Sequence, residues 1–247
     1  MAGFVGPEIP GVTDELAAYF DAALTYTSGS TSWDNDLGST PFSLMNGPIL
    51  GGTIKDYHIT FDGTDDYAII TGDTTLPYNR NNFSIEVWCN FPNAHTGWRS
   101  GIVTRHTSGA GTSNEFFLGA SKASGPSPFW FGVQSPQNSG GYRNNGQFKI
   151  EDTTNYNTNT WYQVVGTFDG SAGTSRLYAT GSLIGSNTTF NDTSVKDANK
   201  NWRIAGFDLG TSYSTNLKVA VVKIYNKTLT SQEVLQNYNA LKSRFNL

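Results

Sequence analysis

The stretch Leu217–Tyr225 (LKVAVVKIY) restricts the architecture of this chain more than any other. It is far shorter than the ~18 apolar residues of a membrane helix. A short apolar run of this kind is the pattern of a central strand covered on both faces. Such a strand needs neighbours in its own sheet and a layer above and below it. Phe83, Ile85, Val87 and Cys89 alternate with Ser84, Glu86, Trp88 and Asn90, which predicts a half-buried strand. Trp161–Phe168 predicts a further strand, closed by a turn at Asp169-Gly170.

Composition agrees with a β protein. Only 15% of the 247 residues are charged and 13% are aromatic, against roughly 25% charge in an average soluble domain. Thr and aromatics favour strands, whereas the 27 glycines, with abundant Asn and Ser, favour turns. The formal charge is −4 with no basic block, so the footprint of a nucleic-acid binder is missing. The single cysteine, Cys89, excludes an intramolecular disulfide and a multi-cysteine zinc site, and reads as a small core residue. The segment Met1–Pro7 lacks the basic and apolar parts of a signal peptide. No membrane insertion is expected. Four Asn-x-Ser/Thr triplets, at Asn82, Asn187, Asn191 and Asn226, are expected by chance in so Asn- and Thr-rich a chain.

Residues 1–13 read as an irregular N-terminal arm, and 14–247 as one domain. Leu16–Leu24 fits a strand or a short helix. The turn-rich stretch 25–53 is long for a structureless loop, so short strands are expected within it. Tyr57–Phe61, Tyr67–Ile70, Gly101–Arg105, Glu115–Gly119, Pro128–Val133 and Asn201–Ala205 are further strand candidates. Ser175–Ala179 and Leu183–Ile184 flank Thr180-Gly181-Ser182 as a hairpin. Residues 134–147 and 186–199 read as polar loops. The C-terminus changes character. Thr230-x-x-Glu233 is a capping box, with Leu229 and Val234 placed as a hydrophobic staple. Val234, Tyr238, Leu241 and Phe245 then mark one face of an amphipathic helix of about four turns.

Several segments, in order, resemble the laminin-G-like branch of the concanavalin A-like jelly rolls. These are Leu16–Ala22, then Trp33, Asp36 and Leu37 with Asn46-Gly47-Pro48, then Ile59–Tyr67 (ITFDGTDDY) leading into Phe83–Trp88. Trp161–Gly170 with Arg176–Gly185 is similar to the family's central hairpin. Val219–Asn239 is similar to its closing strand and helix. The resemblance covers about 15–247. It implies an all-β, concanavalin A-like jelly-roll sandwich of two antiparallel sheets with one C-terminal amphipathic helix. The ending Ile224–Phe245 resembles the version found in structural proteins of tailed bacteriophages.

Two sets of residues offer ligand chemistry. Calcium takes six to eight hard oxygens, and the resemblance implies a rim site for it; Asp62, Asp65 and Asp66 are the cluster that could supply oxygens. Several relatives add an acidic pair in the closing strand, where this chain has Ala220 and Val221. Alternatively, the three aspartates cap turns. No other cofactor is expected. A sugar site combines a flat aromatic ring with polar groups. Trp98, Arg99 and Arg105, near His95 and His106, offer both, as does Trp130 with Tyr142 and Arg143. Trp98 and Trp130 serve equally well as loop anchors. Trp88, Trp161 and Trp202 fit strand packing.

Enzymatic readings find little support. The related glucanases carry a Glu-x-Asp-x-x-Glu triplet that this chain lacks, and Glu86 reads as an isolated carboxylate with no partner. The three histidines are too scattered for a zinc site. The expectation is a non-enzymatic virion surface protein, made in the host cytoplasm and docked onto a major capsid, fibre or tail protein. It would have the capacity to adhere to a host surface glycan and to form a homo-oligomer on the particle. The alternatives are a lectin-like carbohydrate-binding module and, more remotely, a glycoside hydrolase.

Overall fold

The computed structural model describes residues 11–38, 40–53, 56–72, 76, 78–93, 99–106, 114–121, 129–136, 149–151, 156–197, 199–207 and 214–247. Two antiparallel eight-stranded sheets face each other across one core. The first runs β14 (Ser182–Asn187), β13 (Thr174–Ala179), β12 (Trp161–Asp169), β7 (Asn82–Asn90), β16 (Asn216–Tyr225), β5 (His58–Asp62), β4 (Ile49–Gly51), with β1 (Leu16–Asp21) also paired to β16. The second runs β11 (Lys149–Glu151), β10 (Phe129–Val133), β9 (Asn114–Ser121), β8 (Arg99–His106), β15 (Trp202–Ile204), β6 (Tyr67–Ile70), β3 (Phe42–Met45), β2 (Ser32–Trp33). The short strands expected within 25–53 are β2, β3 and β4. Leu16–Leu24 resolves to a strand that ends at Asp21.

The closing run is β16, central in its sheet as its composition requires. Its alternation is broken by a register shift between Val219 and Val221. Leu217, Val219, Val222 and Ile224 therefore face the other sheet, while Ala220, Val221 and Tyr225 belong to clusters beneath the C-terminal helix. One extra residue turns the chain's parity and lets an apolar run serve two layers.

That helix, α1 (Ser231–Leu241), starts as the sequence requires. Thr230 accepts from the Glu233 amide at 3.2 Å, and Glu233 accepts from the Thr230 amide at 2.8 Å. Leu229 and Val234 are buried in one cluster. The helix is shorter than four turns, because Lys242–Phe245 tightens into a 3-10 turn. Its apolar face covers the outer side of the first sheet. Trp88 stacks on Phe245 at 4.5 Å and on Tyr238 at 5.9 Å.

This cover changes the reading of β7. Its alternating pattern predicts a half-buried strand, yet Phe83–Asn90 is buried on both faces. Ser84, Glu86 and Trp88 point away from the inter-sheet core, but the helix and the segment leading into it, rather than water, meet them. Cys89 is buried among the inter-sheet residues, and burial pushes its thiol far above the usual range. Val12, at the end of the predicted arm, is already part of the body. It is buried, and its amide donates to Asn237 Oδ1 at 2.7 Å.

Candidate functional site

The sugar-site candidates separate. His95, Trp98, Tyr142 and Arg143 lie outside the described residues. Arg99 begins β8, but its side chain also lies outside what is described. Arg105 and Trp130 are corrected from surface to interior. Arg105 is fully buried, with its Nε 2.9 Å from Glu115 Oε2 and its guanidinium 5.3 Å from the rings of both Tyr78 and Trp202. The Tyr78 hydroxyl donates to Glu115 at 2.5 Å, and burial raises its pKa well above the ordinary phenol value. The group is a buried ion pair walled by aromatic rings, with no face for a ligand. Trp130 is 1% exposed, its ring 4.5 Å from Phe117, which in turn stacks on Phe207. A fully packed ring cannot serve as a sugar platform.

Glu86 is also corrected. Rather than an isolated carboxylate, it is fully buried and accepts from Asn237 Nδ2 at 2.6 Å, Gln163 Nε2 at 3.0 Å and Trp88 Nε1 at 3.2 Å. Lys223, directly across the ladder, is equally buried; burial lowers its pKa, opposed by Glu86 and Asp21.

The aspartates of the β5–β6 turn do come together. Carboxylate oxygens of Asp62, Asp65 and Asp66 lie within 4.8 Å of one another. The donor set is all hard oxygen, as a calcium-type ion prefers, and these three are the residues that would hold one. The turn also accounts for Asp62 and Asp66 without an ion. Asp62 Oδ1 accepts from the amides of Thr64, Asp65 and Asp66, and Asp66 Oδ2 accepts from the Asp62 amide. Burial works to raise the Asp62 pKa, but those amides outweigh it and hold the carboxyl below its usual range. Asp66 moves the other way, raised by burial and by its two acidic neighbours. Ala220 and Val221 lie beneath the helix with Trp88, Leu241 and Phe245.

A feature not legible in the sequence sits at the open edge of the sandwich, where β4 of one sheet approaches β2 and β3 of the other. There the β3–β4 connection (Asn46-Gly47-Pro48) and the loop after Tyr26 enclose a cleft of about 400 Å³. Tyr26 joins the two walls, its hydroxyl donating to the Pro48 carbonyl at 3.2 Å. Gly29 (φ +82°) and Gly47 (φ +106°) adopt left-handed backbone, and a Cβ on either would meet nothing within 4 Å. None of the eleven lining residues is charged.

A family model of the concanavalin A-like lectin/glucanases superfamily matches residues 62–235, and the chain belongs to that superfamily. No curated protein matches the sequence. Solved structures of the same fold include Trypanosoma rangeli sialidase in complex with sialic acid, with a TM-score of 0.65 and 15% identity. That match covers 96% of this chain and only 35% of the sialidase. Domain 4 of an extracellular arabinanase from Geobacillus stearothermophilus, in complex with arabinotriose, aligns with a TM-score of 0.62 at 13% identity. There 91% of this chain and 98% of that domain are matched. The binding domain of Paraclostridial Mosquitocidal Protein 1 aligns with a TM-score of 0.66 at 14% identity, over 91% of this chain and 52% of that one.

Proposed function

We propose that this chain is a non-catalytic binding module on the surface of a tailed-phage particle, seated on a capsid, fibre or tail protein and adhering to host glycans. The observation that carries the non-catalytic part is the fate of the strand carboxylates: Asp62 and Asp169, at strand ends, each cap a turn, and the others whose side chains are described are buried. A glycosidase needs two acidic groups placed on either side of a scissile bond. Among the described residues, Glu86 and Glu115 are sealed in the interior and held by Asn237 and Arg105. Asp21 is 2% exposed, bonded by Tyr19 and Arg244. Among the described residues, no carboxylate lines the edge cleft.

The adhesive part draws support from the arabinanase domain, which holds arabinotriose on a fold matched almost end to end. The virion setting draws support from the resemblance of Ile224–Phe245 to phage structural proteins. Mass spectrometry of purified particles, with binding of the isolated chain to host cells, tests the proposal. The chain is expected in the particle and on the cells, with no sugar released from the glycans it holds. Its absence from particles removes the virion setting, and turnover of a bound glycan removes the non-catalytic reading.

A further inference from the structure

The geometry points to the edge cleft as the site of a neutral saccharide, one that carries no carboxylate and is held without a metal ion. This rests on the adhesive reading above and deepens it. The cleft has the size of an ordinary small-ligand site. Its lining combines the two chemistries a sugar ring needs. Ile49, 66% exposed, offers the apolar surface, and the largely buried Tyr26 and Pro48 back it. Ser28 and Thr31 offer exposed hydroxyls outside the intramolecular hydrogen bonds of the described residues. The bare backbone at Gly29 and Gly47 adds main-chain polar groups that no side chain shields.

The charge pattern narrows the ligand class. Sialic and uronic acids present a carboxylate, whose strong recognition comes from Arg or Lys. Among the described residues, no cationic side chain lines the cleft. Acidic groups flank it on two sides: the Asp62–Asp66 turn, reached through Asn46, whose Nδ2 donates to the Asp65 carbonyl at 2.8 Å, and Asp34, whose carboxylate accepts from Ser32 Oγ beside Ser30 and Thr31. An anionic sugar here gains no counterion and meets a negative neighbour, whereas a neutral sugar loses nothing. The walls are also set before binding, because the Tyr26–Pro48 hydrogen bond spans them. Preorganisation of this kind lowers the ordering cost of binding.

The test uses the full chain on a panel of neutral, sialylated and uronic-acid oligosaccharides, with Ser28→Trp and Thr31→Trp to fill the cleft. Gln236→Trp, on the exposed side of α1, is the control. Melting temperatures confirm that each variant folds. The expected result is binding of neutral glycans by wild type and control, insensitive to chelator and salt, and at least about tenfold weaker in both filled variants. Tyr26→Phe is expected to weaken binding by roughly two- to tenfold through loss of one hydrogen bond. Equal binding by wild type and filled variants overturns the site and leaves the adhesive reading standing. Loss of a preferred sialylated ligand on filling overturns the neutral assignment. Failure of the wild type to bind any glycan overturns both.

Discussion

Asn237 donates to Glu86 at 2.6 Å across 151 residues of chain, and both side chains are fully buried. The same amide group accepts from the Val12 backbone and donates to the Tyr225 hydroxyl. One asparagine thus fastens the start of the described chain, the central strand and the C-terminal helix together.

Asn237→Leu keeps the branched shape and removes every one of those bonds. It leaves the Val12 amide and one Glu86 oxygen buried without their partner. A loss of about 2–4 kcal/mol is expected, read as a lower urea midpoint. A change within error would show that the helix is held by its apolar face alone.

The Arg105–Glu115 pair makes a similar demand inside the sandwich. Glu115→Gln removes the carboxylate beside a guanidinium walled in by Tyr78 and Trp202, and takes the same charge from Arg80. Breaking a buried pair by removing one partner costs about 3–5 kcal/mol. Thermal or urea unfolding of the variant measures it, and a cost below about 1 kcal/mol would mean that Arg105 finds another acceptor.

Asp36 gives the fold a pH dependence. Burial, with the nearby Asp21 charge, raises its pKa to about 7 from an ordinary 3.8. The folded state therefore holds this proton more tightly than the unfolded chain. Its contribution is complete below about pH 4 and is lost as pH rises through about 7. Stability measured from pH 4 to 8 is expected to fall over that window, and Asp36→Asn to flatten the fall. Identical profiles for the two proteins would remove Asp36 as the source.

The β5–β6 turn satisfies two of its three carboxylates, with three amides on Asp62 and one on Asp66. Chelation of divalent ions is therefore expected to leave the melting temperature unchanged. Asp62→Ala should cost about 0.5–2 kcal/mol, as loss of a capping carboxylate does elsewhere. A drop of several degrees on chelation would instead give Asp62, Asp65 and Asp66 a structural cation.

What the sequence made legible was whatever is encoded locally. The Thr230–Glu233 box and the Leu217–Tyr225 run depend on spacing within one element, and both form as their patterns require. The Phe83–Asn90 pattern gave the strand but not its burial, because the covering helix lies some 150 residues on, as the Asn237–Glu86 separation shows. Asn237 itself carried no signal, since a polar residue on a helix reads as solvated until its partner is known. Arg105 and Trp130 read as ligand groups because each lies in a segment that combines aromatic rings with polar side chains. Their burial depends on strand pairing with β9, which no local pattern states. The cleft was equally invisible: it arises where the edges of two sheets meet, and its wall contact joins Tyr26 to a backbone oxygen of Pro48.

Cys89 is the only cysteine in the chain, and it is sealed between the sheets with its thiol held protonated. Maleimide and other thiol reagents attack the thiolate, so the native protein is silent to them while folded. A cysteine placed at exposed Thr31 becomes a single addressable handle at the mouth of the cleft. A fluorophore there reports ligand entry directly, and reactivity at Cys89 serves in the same sample as an internal clock for unfolding.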